Sequence, residues 1–316
     1  MTEATKNREK WINMLKSMGA IYFLILLVAI LSILMPQFRT LNNAMIVLRQ
    51  ASVTGFVAFG MTCVILTGGI DLSIGSTLAL TAVIGALLLD AGVQEVVAIL
   101  AVLCSGLALG ALNGLTITKL RLQPFIATLI GMSVFRGLAL ILTGGRSVAG
   151  LTGFYVLETI GRGDFLGVPI PIWLMIVAFG LFFFLLHKTA LGRRIYAIGS
   201  NATAAQLAGV SITKTKMFVY IISGLMASVS ALILVSRLRS AQPIMGEGLE
   251  LDAIAAVALG GTSMAGGRGR IFGTLAGVLI ISILSNGMNI LGVPSYYQTV
   301  VTGIVIFLAV LSDPNR

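Results

Sequence analysis

Few residues in this chain are of a type to do chemistry, and their spacing excludes most reactions. "GFVAFGMT" (55–62) repeats the glycine spacing of a phosphate-binding loop, but Met61 stands where a lysine must reach the phosphates. "GGTSMAGGRGR" (260–270) is glycine-rich without that spacing and opens a basic turn. The one histidine, His187, ends an apolar run beside Lys188, with no carboxylate near it in sequence. Cys63 and Cys104 lie inside apolar runs without ligand spacing and read as small packing hydrophobes. No metal and no cofactor is expected. Without a paired carboxylate, a His–Glu metal motif or a nucleophile–base pair, an intramembrane enzyme is disfavoured. Acids are nearly absent from the apolar runs, which also speaks against the carboxylate relay of an ion-coupled carrier.

One carboxylate stands apart. In "GMTCVILTGGIDLSIGSTLAL" (60–80), Asp71 is the only acid between Glu9 and Asp90, and Gly68 and Gly69 stand just before it. Residues 51–89 would measure about 58 Å as one helix, roughly twice the hydrocarbon thickness, so the run must fold back or break. Gly68 and Gly69 can end one helix in a left-handed cap, and Asp71 can accept from amides near Ser73 and Ile74 at the start of the next. The same break could line a cavity, since irregular backbone at membrane depth is tolerated there.

The elements that must hold such a group follow from composition. The 316 residues are 57% hydrophobic and 10% charged, where a soluble domain is roughly a quarter charged. Lipid is therefore the solvent for much of the surface. The net charge of +10 sits in short clusters between apolar runs, without a basic arm or aromatic–basic interleaving, so no nucleic-acid partner is expected. Lys6, Arg8, Lys10 and Lys16 precede the apolar run 19–35, and "LSILMPQF" carries no small-x-small cleavage site, which predicts an uncleaved first span. Further spans are predicted at 51–67, 72–89, 96–118, 125–143, 170–187, 217–236, 271–290 and 297–312. The stretch 253–265 is too short and glycine-rich for an ordinary span and suggests a half-helix or re-entrant segment.

Charge bias chooses between nine and ten crossings. Ten crossings with both termini in the cytoplasm put fourteen of the 21 basic residues inside, against six outside. Seven of the eleven acids (Asp90, Glu95, Glu158, Asp164, Glu247, Glu250 and Asp252) then fall outside. The expectation is an all-α, polytopic membrane protein of about ten transmembrane helices, one of them short or broken. Its divisions are a cytoplasmic segment 1–18, one transmembrane domain 19–312 with a cytoplasmic loop at about 188–216, and a cytoplasmic tail 313–316.

That loop, "HKTALGRRIYAIGSNATAAQLAGVSITKTKM" (187–217), is too polar for lipid and too patterned for a random connector. Asn201 can cap a short helix from Ala202 to Ala208, with Gly209 as its stop. The small residues Ala204, Ala205 and Ala208 would let another protein approach closely; a plain amphipathic connector is the alternative.

Polar residues interrupt the apolar runs at Thr67, Asp71, Ser73, Gln123, Asn286, Asn289 and Gln298, with aromatic faces nearby at Phe125, Tyr296 and Tyr297. Hydroxyl-rich substrates need donors, acceptors and a ring to stack on. Each of these residues could equally serve helix packing or interfacial anchoring.

Five stretches carry a resemblance: "GMTCVILTGGIDLSIGSTLAL", "LQPFIATL", "ALGRRIYAIGSNATAAQLAGVSITKTK", "SAQPIMGEGLELDAIAAVALGGTSMAGGRGRIFGTLAGVLI" and "LGVPSYYQTVVTGIVIFLAV". In this order, over essentially the whole chain, they resemble the permease family of bacterial ribose-type ABC importers. The resemblance implies a monosaccharide permease of the bacterial inner membrane, ribose first. Relatives carry other monosaccharides, inositols or a furanosyl signalling molecule. It implies alternating access driven by a cytoplasmic ATP-binding subunit, sugar delivered by a periplasmic binding protein, a second permease copy and surrounding lipid as partners. No chemistry would be done by the chain itself. The segment 201–209 corresponds to the family's ATPase-coupling loop, comprising Asn201, Ala202, Ala204, Ala205, Ala208 and Gly209. Ala202 stands where that loop usually carries a glutamate, so no ionic contact is carried over.

Overall fold

The computed structural model describes residues 19–311. The expected cytoplasmic segment 1–18 and tail 313–316 lie outside the described residues.

Thirteen helices are described: α1 Gly19–Leu34, α2 Leu41–Leu66, α3 Ile74–Asp90, α4 Glu95–Thr118, α5 Pro124–Thr143, α6 Tyr155–Arg162, α7 Ile170–Lys188, α8 Ala190–Ser200, α9 Ala202–Leu207, α10 Ile212–Leu238, α11 Leu249–Leu259, α12 Ile271–Ile290 and α13 Ser295–Leu311. Six are long and apolar enough to cross a membrane: α2, α4, α5, α7, α10 and α12. Shorter apolar helices occur at Ala20–Leu34, Ile74–Asp90 and Ser295–Leu308. The expected all-helical architecture is therefore present, with two additions. Four two-residue strands pair antiparallel: β1 Val148–Ala149 with β4 Ser240–Ala241, and β2 Asp164–Phe165 with β3 Val168–Pro169.

Local sequence sets the ends. The Thr40 hydroxyl accepts from the Asn43 amide to open α2, Thr189 does the same for Gly192 in α8, and Ser211 for Lys214 in α10. Pro124 begins α5, where its missing N–H costs nothing. At the other end of α2, Gly68 is left-handed (φ 74°). The Gly69 amide donates to Val64 O (3.1 Å) and the Gly68 amide to Ile65 O (2.9 Å), the paired bonds of a Schellman end. The fold-back expected at these glycines is present.

α2, α10 and α12 form the interior, with Val57, Phe59, Leu66, Ile233 and Val278 fully buried. Glycines let α4 and α10 approach. A Cβ at Gly110 would strike the backbone of Tyr220 and Ile221, and one at Gly224 would strike Gly106 and Gly110. Close backbone packing of this kind replaces the hydrophobic drive that lipid removes. Large apolar side chains point outward instead, as Ile33 (78% exposed) and Ile141 (76%) do, the arrangement lipid requires.

Two elements depart from the sequence reading. α2 begins ten residues before the expected 51, because Asn43 and Arg49 find partners in Asn286 and Asp164 rather than lying in a loop. α11 runs Leu249–Leu259 rather than 253–265. It is a half-helix antiparallel to α12, with Gly260 packed on Gly273 and Ala256 on Gly277. Extending that pairing sets Asp252 level with Ile281, near the middle of α12. Glu247, Glu250 and Asp252 therefore lie at the depth of the bundle, not in the outer loop where the charge count set them. The reason is that acids favour the first turn of a helix, so the acidic residues 250 and 252 begin α11 instead of preceding it.

Candidate functional site

The break at residues 67–73, between α2 and α3, is a polar junction that also draws in α4, α5 and α10. Asp71, 2% exposed, accepts at Oδ1 from the Ser73 amide (3.1 Å) and the Ser73 hydroxyl (2.6 Å). Its Oδ2 accepts from the Ser223 hydroxyl of α10 (2.7 Å). Asn113 of α4 donates through Nδ2 to Ser73 Oγ (2.6 Å), and Gly131 of α5 leaves the room this pair occupies. The Ile70 carbonyl accepts from Thr128 of α5 (3.2 Å) and from the Tyr220 hydroxyl (3.4 Å). Hydrogen bonds of this kind contribute about 0.5–3 kcal/mol each, and an unmet buried donor costs about 1–3 kcal/mol. The break is thus a rigid joint.

Asp71 meets the amide of Ser73 as its spacing suggested. The N-cap of α3, however, is Ser73 itself, which has no side-chain cap bond. Thr67 is buried and bonds its own helix at Val64 O (2.8 Å). Sequence reasoning missed Asn113 and Ser223. A signal existed: each is a polar residue directly before a glycine (Gly114, Gly224) in a largely apolar helix, the composition of a helix-packing point.

The other named polar residues are not gathered here. Asn286 forms a reciprocal amide pair with Asn43, at 3.1 and 2.9 Å. Gln298 donates to Asn289 Oδ1 (2.8 Å) and Val293 O (2.9 Å), closing the turn between α12 and α13. Tyr296 and Tyr297 beside it are exposed, their rings 4.7 Å apart. Gln123 and Phe125 are exposed at the start of α5.

Backbone contacts join the break to the segment 188–211. A Cβ at Gly199 would strike Leu66 O and Gly267 N, and the Gly267 amide donates to Leu66 O (3.0 Å). The Tyr196 hydroxyl donates to Gly269 O (3.0 Å); burial pushes this phenol above its usual range, so it remains a neutral donor. Beyond that contact α9 projects from the bundle. Asn201 Oδ1 caps it by accepting from the Ala204 amide (2.9 Å), and Gly209 follows in left-handed conformation (φ 81°). Ala205 is buried, whereas Ala202, Ala204, Ala208 and Gly209 are exposed, and Leu207 is 86% exposed.

At the opposite end, the pairs Glu158–Arg239 (3.3 Å) and Arg49–Asp164 (3.4 Å) and a bond from the Leu157 amide to Glu95 hold α6 and the strand pairs over the bundle. Arg136, thirteenth residue of α5, reaches inward and donates from Nη1 to Pro243 O (2.7 Å) and Met245 O (3.0 Å). The non-helical stretch before α11 is anchored there. Glu250 accepts from the Gly248 amide at Oε1 (3.3 Å), while its Oε2 is buried with no hydrogen-bond partner.

A bundle of apolar helices, six of them long and apolar enough to cross a membrane, with a break at a buried carboxylate, has the build of a multi-pass membrane protein. The chain belongs to the family described as "branched-chain amino acid transport system / permease component", which it matches over residues 43–310. It is 51% identical over 318 residues to the ribose import permease protein of Bacillus subtilis (strain 168), covering 100% of this chain and 99% of that one. Identity to the ribose import permease protein of Escherichia coli (strain K12) is 50%, covering 97% and 95%. The D-allose transport system permease protein of the same strain is 39% identical, covering 93% and 90%.

Proposed function

We propose that the chain is the membrane permease subunit of an ATP-driven importer that carries ribose into the bacterial cytoplasm. The observation that carries this reading is full-length identity of 51% and 50% to ribose import permeases, against 39% to the D-allose protein. Alternating access moves the sugar, and ATP is hydrolysed in a partner subunit; the chain hydrolyses nothing. The exposed helix α9, with its small residues and Leu207, is the docking element for that ATP-binding subunit. This end of the bundle and both termini lie in the cytoplasm, as the fourteen-to-six basic bias supports. A periplasmic binding protein delivers sugar at the opposite end, and two permease copies associate in the inner membrane, solvated by its lipid. Thr67, Asp71, Ser73, Gln123, Phe125, Asn286, Asn289, Tyr296, Tyr297 and Gln298 are the pathway residues read from the sequence. Of these, Asp71 and Ser73 are the pair best supported as a functional unit, by their contacts with α4 and α10.

The test is uptake of labelled ribose into proteoliposomes holding the permease, its ATP-binding subunit and the binding protein. Uptake should require all three and ATP, and ribose should compete better than D-allose. Uptake driven by an ion gradient without the ATP-binding subunit would overturn the mechanism. Uptake of another sugar in preference to ribose would overturn the substrate.

A further inference from the structure

Between α10 and α11 the chain passes through membrane depth without forming a helix. From the β1–β4 pair it descends until Gly246 packs on Gly75 and Leu78. Gly75 lies about 22 Å along α3 from Asp90, at 1.5 Å per residue, within a hydrocarbon layer about 30 Å thick. The stretch around Gly246 is therefore far from the outer end of the bundle.

Non-helical backbone at that depth persists only where protein buries it or water reaches it. Burial and exposure alternate along this stretch. Pro243 and Met245 are buried, with their carbonyls held by Arg136, while Gln242, Ile244 and Glu247 are exposed. A carboxylate turned toward hydrocarbon is strongly disfavoured, and membrane-embedded acids face water or a protein interior. The exposed side of this stretch then faces either a water-filled space or a second copy of the chain, and only the first leaves a side chain there open to a soluble reagent.

We infer that Gln242–Gly248 forms a wall of the substrate path near mid-membrane, with Glu247 offered to substrate hydroxyl groups and Arg136 as the positioning residue that holds the wall. The assignment of the substrate rests on the ribose reading above; the water-facing wall does not. A carboxylate suits a polyol because its two oxygens can accept from adjacent hydroxyls at once. Arg136 suits its role because one guanidinium nitrogen meets two carbonyls that neither helix nor strand satisfies.

The experiment is thiol accessibility in the complete transporter. Glu247→Cys and Ile244→Cys are each made in a Cys63→Ala/Cys104→Ala background, reconstituted with the partner subunits, and treated with a charged methanethiosulfonate reagent. Leu181→Cys, on the exposed middle of α7, is the lipid-facing control. A thiol must ionise to react, so both wall positions should be modified at least about tenfold faster than the control. Ribose supplied with binding protein and ATP should slow modification of Ile244→Cys, which keeps Glu247, and adding Glu247→Gln should abolish that slowing. Adding Arg136→Lys should shift the Ile244→Cys rate and leave the Leu181→Cys rate unchanged, which general unfolding would not do. Slow modification at both wall positions overturns the inference even where ribose uptake is intact. Fast modification of Ile244→Cys that ribose fails to slow, in a chain that transports ribose, or slowing that survives Glu247→Gln, overturns the role of Glu247. Fast modification in a chain whose parent takes up no ribose supports the wall and overturns the ribose reading instead.

Discussion

The Ser223 hydroxyl donates to Asp71 Oδ2 at 2.7 Å, across 152 residues of chain. One bond thus ties the break after α2 to the fourth turn of α10, and Asn113 ties the same break to α4 through Ser73. The carboxylate is held by short hydroxyl side chains, which donate in water-poor surroundings without bringing a counter-charge.

Asp71→Asn should be tolerated better than Asp71→Leu. Asparagine keeps an acceptor for the Ser73 amide, whereas leucine leaves buried donors on Ser73 and Ser223, at about 1–3 kcal/mol each. Thermal unfolding of the purified permease should rank wild type, Asn, then Leu. A folded and inserted Asp71→Asn chain that no longer transports would show that the charge itself is used, beyond any structural part.

The Asn43–Asn286 pair offers a clean double-mutant cycle. Each single leucine substitution strands an amide, and the double substitution removes both partners. The coupling energy should be about 0.6–1.7 kcal/mol, the range for hydrogen bonds between membrane helices. Additive effects would mean that the pair contributes nothing beyond packing.

Two glycines in spans should respond oppositely to alanine. At Gly110 the added methyl meets the backbone of α10, and overpacking should cost about 1–3 kcal/mol. At Gly137 nothing lies within 4 Å, and the helix should gain about 0.5–1 kcal/mol. Equal melting temperatures for the two variants would contradict the close approach of α4 and α10.

Docking at α9 should fail with Leu207→Glu, since the side chain is presented outward and a charge there opposes an apolar contact. Gly209→Trp should fail too, although its left-handed backbone adds strain that blurs the cause. Pull-down of the ATP-binding subunit measures this directly. Normal co-purification and uptake by Leu207→Glu would reduce α9 to a connector.

Much of this was legible because lipid imposes simple constraints. A 39-residue apolar run cannot cross once, so the turn at Gly68 and Gly69 followed from length alone. Asn201 and Gly209 marked the ends of α9 by ordinary capping rules. What escaped depended on partners far away in sequence. Asn43 and Arg49 resemble loop residues until Asn286 and Asp164 are brought beside them. The acids of "GEGLELD" resemble an outer loop until α11 is seen to start there. Ser223 and Asn113 carry no local sign of which carboxylate they serve.

The long separation between Asp71 and Ser223 also has a meaning in time. Chains are synthesised at about 5–20 residues per second, so Asp71 enters the membrane roughly 8–30 s before its α10 donor exists. During that interval Ser73 is the partner in place, itself joined by Asn113 once α4 is made. The nascent protein therefore carries a half-satisfied carboxylate at the break between α2 and α3 until α10 is inserted. A chain truncated before Ser223 keeps that defect permanently, and its first spans should turn over faster in the cell than those of the finished protein.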